Sequence, residues 1–234
     1  MNKIGNWLTK NIYNIVLAVI GVLNVLPILA PVLAYLKINF LAKAIYFVYS
    51  FFCHQLHWRS LHVCDYQYGW CTRCTFIWLN IFLTGLLVKV FKVKKINWYW
   101  YAIFIMPIAL DGIIQTVATL IGLTTISNIY YMSNNLIRML TGSFFGIGFG
   151  LFIWQNLSDS GIIELKEKLP KKKRINVFSI TILLLVLSAI LYFLAVVIWQ
   201  QTSINYLPEN LLDFAVKIPP LAVDFLNRGI NGVR

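Results

Sequence analysis

Residues 177–199 read VFSITILLLVLSAILYFLAVVIW, a run without a single charged side chain. As a helix it would be about 34 Å long, enough to cross ~30 Å of hydrocarbon. Four further apolar runs occupy residues 11–36, 75–90, 96–122 and 135–156. Only 12% of the 234 residues are charged and 59% are hydrophobic, and that charged fraction is about half of what a soluble domain carries. The sequence therefore predicts an all-α fold, a polytopic integral membrane helical bundle.

Residues 37–52 leave the number of spans open. They are apolar and aromatic, but the segment is short and Lys43 interrupts it. It could be a tilted span or a half-helix at the interface, so we expect five to six transmembrane helices. Residues 200–234 hold two short amphipathic pieces separated by Pro219-Pro220. The expected organisation is a membrane domain at 1–199 followed by an amphipathic, extracytoplasmic tail at 200–234.

The net charge of +12 could suggest a nucleic-acid partner, but its distribution argues against one. The positive residues concentrate in two loops, 89–95 and 166–174, that lie between apolar spans. Positive loops of this kind mark the cytoplasmic side of a membrane protein. We therefore expect a multi-pass protein of the cell membrane, with the bilayer as its partner and no nucleic acid. The Cys/His segment between Cys53 and Cys74 and the C-terminus then lie outside the cytoplasm.

All four cysteines and all three histidines lie between Cys53 and Cys74. The spacing Cys71-x-x-Cys74 is a usual half-site for zinc, and Cys53, His54 and Cys64 offer the other half. The same spacing at a helix N-terminus beside a cation also suits a redox pair. Buried inert thiols are the third reading. The mixture of thiol and imidazole favours metal, whereas an extracytoplasmic location favours redox chemistry.

Polar side chains also converge at one depth of the expected bundle. Asp111 lies fifteen residues into its span, in the half away from the cytoplasm, and Gln115 is one turn further along the same face. Asp111 could neutralise an arginine and join helices, or it could orient arginines that bind an anion, or carry a proton. We assign catalytic roles to Asp111, Arg138 and Arg73, and substrate binding to Arg59, Gln115, Asn134 and Asn135.

The combined motifs resemble an uncharacterised family of prokaryotic membrane proteins, domain of unknown function 2085. The resemblance covers residues 43–150 and is carried by Cys53-His54-Gln55, Arg59-Ser60, Cys71-x-Arg73-Cys74-Thr75, Pro107, Asp111-Gly112, Gln115, Asn134-Asn135, Arg138 and Thr141-Gly142. It implies a membrane protein without a stated activity. Cys64 is not part of the family pattern, so the resemblance favours Cys53, His54, Cys71 and Cys74 as metal ligands. The chain departs from the pattern at Phe76-Ile77-Trp78, where the family shows Gly-Ile-Tyr.

The sequence thus predicts a membrane protein with a zinc site beside an arginine-rich polar pocket. Three arginines suggest an anionic ligand, such as a lipid or polyprenyl phosphate. A closed metal site would be structural, whereas an open coordination position could activate water, so enzymatic activity stays undecided. The alternatives are a quinone-linked thiol–disulfide oxidoreductase, in which Cys53 and Cys64 form the second pair, and a small ion-coupled transporter in which Asp111 carries the proton.

Overall fold

The computed structural model describes residues 3–55, 59–63, 66–93, 95–121, 124–125, 128–129, 134–159 and 174–197. Six helices account for most of them: α1 Lys3–Tyr35, α2 Asn39–Ser50, α3 Thr72–Val90, α4 Trp98–Leu120, α5 Asn135–Asp159 and α6 Val177–Ala195. Within these described ranges, five helices are long and apolar enough to cross a membrane, and α2 is not among them. The predicted all-α polytopic bundle is confirmed. Predictions for residues 160–173 and 198–234, which include the tail, fall outside the described residues.

The helix boundaries follow local chemistry. Helix α3 begins at Thr72, three residues before the predicted start, because Cys71 is still extended at its N-cap. Pro27 and Pro31 lie inside α1, yet the segment remains one helix from Lys3 to Tyr35. Apolar packing along that face outweighs the loss of two backbone hydrogen bonds.

The segment between α2 and α3 contains a β-hairpin that the sequence analysis did not predict. Strand β1 (Ser60–Val63) pairs antiparallel with β2 (Tyr66–Cys71), and β2 runs directly into α3. Two-residue strands join other loops: β3 (Lys92–Val93) pairs with β6 (Arg174–Ile175), and β4 (Thr124–Thr125) with β5 (Asn128–Ile129). The hairpin matters most, because it delivers a cysteine to the start of α3.

Glycines allow a close contact between α3 and α5. A Cβ atom at Gly142 would lie 2.6 Å from the Arg73 carbonyl oxygen, and one at Gly146 would lie 2.5 Å from that of Ile77. Gly150 continues the same four-residue step against Thr84. Only a hydrogen atom leaves room for the two backbones at these positions.

The core of the bundle combines large apolar side chains with a few hydrogen-bonded polar groups. Trp154 is fully buried and donates from Nε1 to the Ile81 carbonyl at 2.8 Å. Asn80 on α3 donates to Ser143 of α5 at 3.2 Å and to Ser188 of α6 at 3.0 Å. All three of these polar residues are buried, so their mutual bonds avoid an unpaired polar group in an apolar interior. They also fix the rotation of three helices relative to one another.

The bundle has two ends. Helices α1 and α4 finish at one end, where α3 and α5 begin and the hairpin is found. We name it the triad end, after the three cysteines Cys53, Cys71 and Cys74 that lie there. At the opposite, basic end, α3 finishes with Lys89, whose ammonium donates to Asn14 at 2.8 Å. Helix α2 folds back along α1 from the triad end, with Ala42 fully buried beside Ala30 and Ala34.

Candidate metal centre and arginine cluster

Three cysteines meet at the triad end. Cys53 follows α2, Cys71 closes β2 and caps α3, and Cys74 lies in the first turn of α3. Their sulfur atoms all lie within 4.8 Å of one another. Among the described cysteines none is in a disulfide. We call these three residues the cysteine triad.

Backbone amides point at the sulfurs of the triad. The Cys71 N–H donates to Cys53 Sγ at 3.2 Å, and the amide of Gln55 also donates to that sulfur. The Cys74 N–H donates to the Cys71 sulfur. Amide hydrogen bonds stabilise the charged thiolate form, because they supply positive dipole at the sulfur. The loop geometry therefore favours thiolates, the form that binds metal.

Gln55 holds the turn that carries Cys53, a role that the sequence analysis missed. Its backbone is left-handed, with φ 49°. Its side-chain amide donates at 2.9 Å to the carbonyls of Tyr46 on α2 and Gly69 on β2. Its own carbonyl accepts from the Gln67 side chain. The unbroken Cys-His-Gln run was the available signal, since a glutamine beside a ligand residue often orients it.

The protonation of the triad is shared among its members. Hydrogen bonds from Cys53 and Cys74 lower the pKa of the Cys71 thiol well below its usual value. The same contact with Cys71, followed by burial, raises the pKa of Cys53 to about 11. Without a metal, the triad therefore carries one thiolate, at Cys71, solvated by its two thiol neighbours.

The other ligand predicted from the sequence is placed differently. His54 is exposed, and it is not part of the group of sulfurs. Its neighbour Cys53 is buried, so the two adjacent side chains lie in different surroundings. Cys64 and His57 lie outside the described residues. The described ligands at the centre are thus three sulfurs.

A polar chain crosses the bundle next to the triad. Arg73 on α3 forms a salt bridge with Asp111 on α4, whose side chain is 4% exposed. Gln115, one turn along α4, donates to Asp111 Oδ2 at 2.7 Å and accepts from Arg138 of α5 at 3.1 Å. Three helices are therefore joined by one chain of charge-assisted hydrogen bonds. The three residues predicted to be catalytic lie together in it.

A third arginine adds to this chain from the loop before β1. Arg59 is half-buried, and it is close enough to Cys53, Cys71, Arg73 and Asp111 for electrostatic interaction. Burial lowers the pKa of its guanidinium, and Cys71 opposes that effect. Arg59 Nε is buried without a hydrogen-bond partner among the described residues. Arg59, Arg73 and Arg138 form what we call the arginine cluster.

The two asparagines predicted to bind substrate differ in position. Asn134 is exposed, and its side-chain oxygen accepts from the Ile137 amide at 2.8 Å, which caps the N-terminus of α5. Asn135 is half-buried, and its side-chain oxygen lacks a hydrogen-bond donor within the described part of the chain. The capping bond explains the presence of Asn134 without a bound ligand. The side-chain oxygen of Asn135 can still accept a hydrogen bond from a ligand.

Guanidiniums outnumber acidic groups in the described part of the site. Among the described residues, three guanidiniums face the Asp111 carboxylate and the sulfur of Cys71. A divalent metal bound by three thiolates would carry −1, the same charge as a single Cys71 thiolate. A group of guanidiniums of this kind is suited to bind an anion.

Comparisons with known proteins agree with the sequence resemblance. A family model described as predicted membrane protein (DUF2085) matches residues 53–152, which contain the triad and the arginine cluster. An uncharacterized protein of the archaeon Methanocaldococcus jannaschii is 33% identical over 144 residues, covering 57% of this chain and 84% of that protein. No solved structure matches.

Proposed function

The chain belongs to the DUF2085 family of predicted membrane proteins, and we propose that it binds zinc at the cysteine triad and an anionic membrane-associated ligand at the arginine cluster. The observation that carries the first part is the convergence of three sulfurs to within 4.8 Å. Tetrahedral zinc with Zn–S bonds of ~2.3 Å requires sulfurs roughly 3.8 Å apart. A small contraction of the triad would supply that geometry.

The chemistry of the ligands supports zinc over harder ions. Thiolates are soft ligands that favour zinc, whereas magnesium and calcium prefer oxygen. The amide hydrogen bonds to Cys53 and Cys71 provide the outer contacts that such sites normally have. The fourth position falls to His54 after a side-chain rotation or to an external ligand. The first outcome makes the metal structural, and the second leaves it open for chemistry.

Zinc content tests this part of the proposal. Protein purified from cells should contain about one zinc per chain, and Cys71→Ser with Cys74→Ser should remove it. Cys64→Ser is the matched control and should retain the metal, because the family pattern that the chain resembles does not include Cys64. His54→Ala should lower the zinc content if His54 is the fourth ligand. It should leave the zinc content unchanged if the fourth ligand is external. Zinc-free wild-type protein, or full zinc in the double serine variant, would refute the metal.

The arginine cluster supports the second part of the proposal. Guanidiniums bind phosphate through paired hydrogen bonds, and three of them meet at the first turns of the membrane-spanning helices α3 and α5. Among the described residues the buried Nε of Arg59 has no hydrogen-bond partner, so it can donate to a ligand. The shared chemistry is a phosphate group, which a lipid headgroup or free phosphate could supply. Short-chain phosphatidic acid and inorganic phosphate are therefore the two probes for thermal stabilisation in detergent.

The expected result is a rise in the unfolding temperature with phosphatidic acid that Arg59→Gln abolishes. Arg59 is chosen because it lies outside the Arg73–Asp111 salt bridge. The unfolding temperature of Arg59→Gln without a probe serves as its own reference. A similar rise with both probes would indicate a phosphate site without lipid selectivity. No rise with either would refute anion binding.

The positive-inside rule supports one further element of the proposal, the orientation. With loops 89–95 and 166–174 in the cytoplasm, the triad end faces away from it. That compartment would also permit the thiol–disulfide alternative, and the low pKa of Cys71 favours a reactive thiol there. Thiol counting by alkylation distinguishes the two. Four thiols that no oxidant changes would exclude the redox cycle, and zinc would protect three of them.

A further inference from the structure

Helix α2 lies beside the second half of α1 rather than beyond its end. Its first half packs Ala42 against Ala30 and Ala34, and near its end the Tyr49 hydroxyl donates to the Leu23 carbonyl at 3.0 Å. Leu23 is the middle residue of the span Asn11–Tyr35. At 1.5 Å per residue, the twelve residues of α2 cover about 18 Å, the same length as the half of α1 beside them.

The opposite face of α2 is apolar and exposed. Phe40 is 82% exposed, Phe51 71% and Phe52 72%. Leu41, Phe47 and Val48 complete this face. In water such a surface would be strongly unfavourable, at about 25 cal/mol for each Å². Val25, Ile28 and Leu29 of α1 are exposed at the same depth on a helix that spans the membrane.

The one charged side chain of α2 is compatible with this depth. Lys43 is four residues from the start of the helix, roughly 6 Å along its axis from Asn39. A lysine side chain can extend by that distance to reach the headgroups while its methylenes stay in hydrocarbon. The charge is therefore near the interface, and the second half of the helix carries none.

We propose that α2 is a half-membrane helix: it enters the leaflet at the triad end, its exposed face contacts lipid acyl chains, and the chain leaves on the same side through the β-hairpin. This goes beyond the proposed function, since it needs neither the metal nor the anion. It places the cysteine triad below the headgroups, because Cys53 packs with Leu26 of α1, nine residues or ~14 Å before Tyr35.

Labelling of single introduced cysteines with a membrane-impermeant maleimide tests the proposal. The background carries Cys64→Ser, and the labelling of its remaining triad cysteines is measured alone and subtracted from that of each variant. Leu36→Cys, in the α1–α2 turn, is compared with Phe47→Cys and Phe51→Cys. Leu36 is 57% exposed and Phe51 71%, so geometric exposure alone predicts faster labelling at 51. Lipid burial reverses this order, because a thiolate does not form in hydrocarbon.

Labelling is measured from one side in intact cells and from the other in inverted vesicles. The total thiol content is measured after denaturation in SDS, so that each rate refers to the same number of thiols. We expect Leu36→Cys to react from one side, and Phe47→Cys and Phe51→Cys to react about tenfold more slowly or not at all from either. Equal labelling of Leu36→Cys and Phe51→Cys from one side would place α2 on the aqueous surface. Labelling of Phe51→Cys from the opposite side would make α2 a full span, and a silent Leu36→Cys would bury the turn. Each of these three results overturns the proposal.

Discussion

Replacement of Asp111 by Asn removes the carboxylate that, among the described residues, pairs with the arginine cluster, and it changes little else. The side chain keeps its size and can still accept the hydrogen bond from Gln115. Its carboxylate is 4% exposed and pairs with Arg73, whose side chain is 17% exposed, so water cannot replace the lost charge. Breaking a buried pair by removing one partner costs about 3–5 kcal/mol. Coulomb's law gives a similar value, about 4 kcal/mol at 4 Å with an effective dielectric constant of 20.

Thermal unfolding in detergent, followed by tryptophan fluorescence, measures this effect. For a chain of this size, a loss of that order lowers the unfolding temperature by roughly 10 °C. Gly112→Ala is the matched control on the adjacent residue, since nothing lies within 4 Å of an added Cβ there. It should unfold at the wild-type temperature or slightly above it.

The double variant Asp111→Asn with Arg73→Gln separates the pair from general damage. If the salt bridge is the cause, the two losses overlap, and the double variant loses about 2 kcal/mol less than their sum. Additive losses would show that the two residues stabilise the bundle independently. An Asp111→Asn protein as stable as the Gly112→Ala control would refute the buried ion pair itself.

Three further predictions follow from single contacts. Gly142→Ala should cost about 1–3 kcal/mol, because its Cβ would lie 2.6 Å from the Arg73 carbonyl oxygen; stability equal to that of the glycine control would contradict the close helix contact. Asn134→Ala should cost about 1 kcal/mol while Asn134→Asp stays near wild type, since either Asn or Asp caps α5; equal losses in urea unfolding would argue against a cap. In metal-free protein, the rate at which iodoacetamide modifies Cys71 should level off at lower pH than the Cys53 rate, because the pKa of Cys71 is lowered. The Cys53 rate should rise about tenfold per pH unit towards its pKa of about 11. Peptide mass spectrometry measures the pH dependence of both rates. The same pH dependence at Cys71 and Cys53 would show that their pKa values do not differ in this way.

The spans and the meeting of polar groups were predictable because they depend on helix geometry alone. Counting residues from the span ends places Asp111 and Gln115 at the level of Arg138, and the structure joins them by hydrogen bonds. The four-residue step of glycines from Gly142 likewise required only the helical repeat. Periodicity fixes depth and face, and those two quantities suffice to bring such residues together.

The parts that could not be predicted depend on tertiary contacts. The β-hairpin is short, and its second strand, Tyr66–Cys71, alternates only loosely between polar and apolar residues. Helix α2 is ambiguous in sequence because a mostly apolar segment of twelve residues suits an interface, a half-span or a buried helix equally. The position of α2 is decided by small residues of α1, Ala30 and Ala34, against which it packs. The role of Gln55 could not be predicted either, because its side chain bonds to α2 and β2 only once both are in place.

The placement of Arg73 between Cys71 and Cys74 has a consequence for how the two halves of the site communicate. Cys71 is the N-cap of α3, and Arg73 and Cys74 lie in its first turn, so one short piece of backbone carries both sulfurs and the guanidinium. If the proposed metal and the proposed anion both bind, any effect of one on the affinity of the other must be equal in both directions. A zinc titration with and without phosphate would then measure the coupling between the two halves.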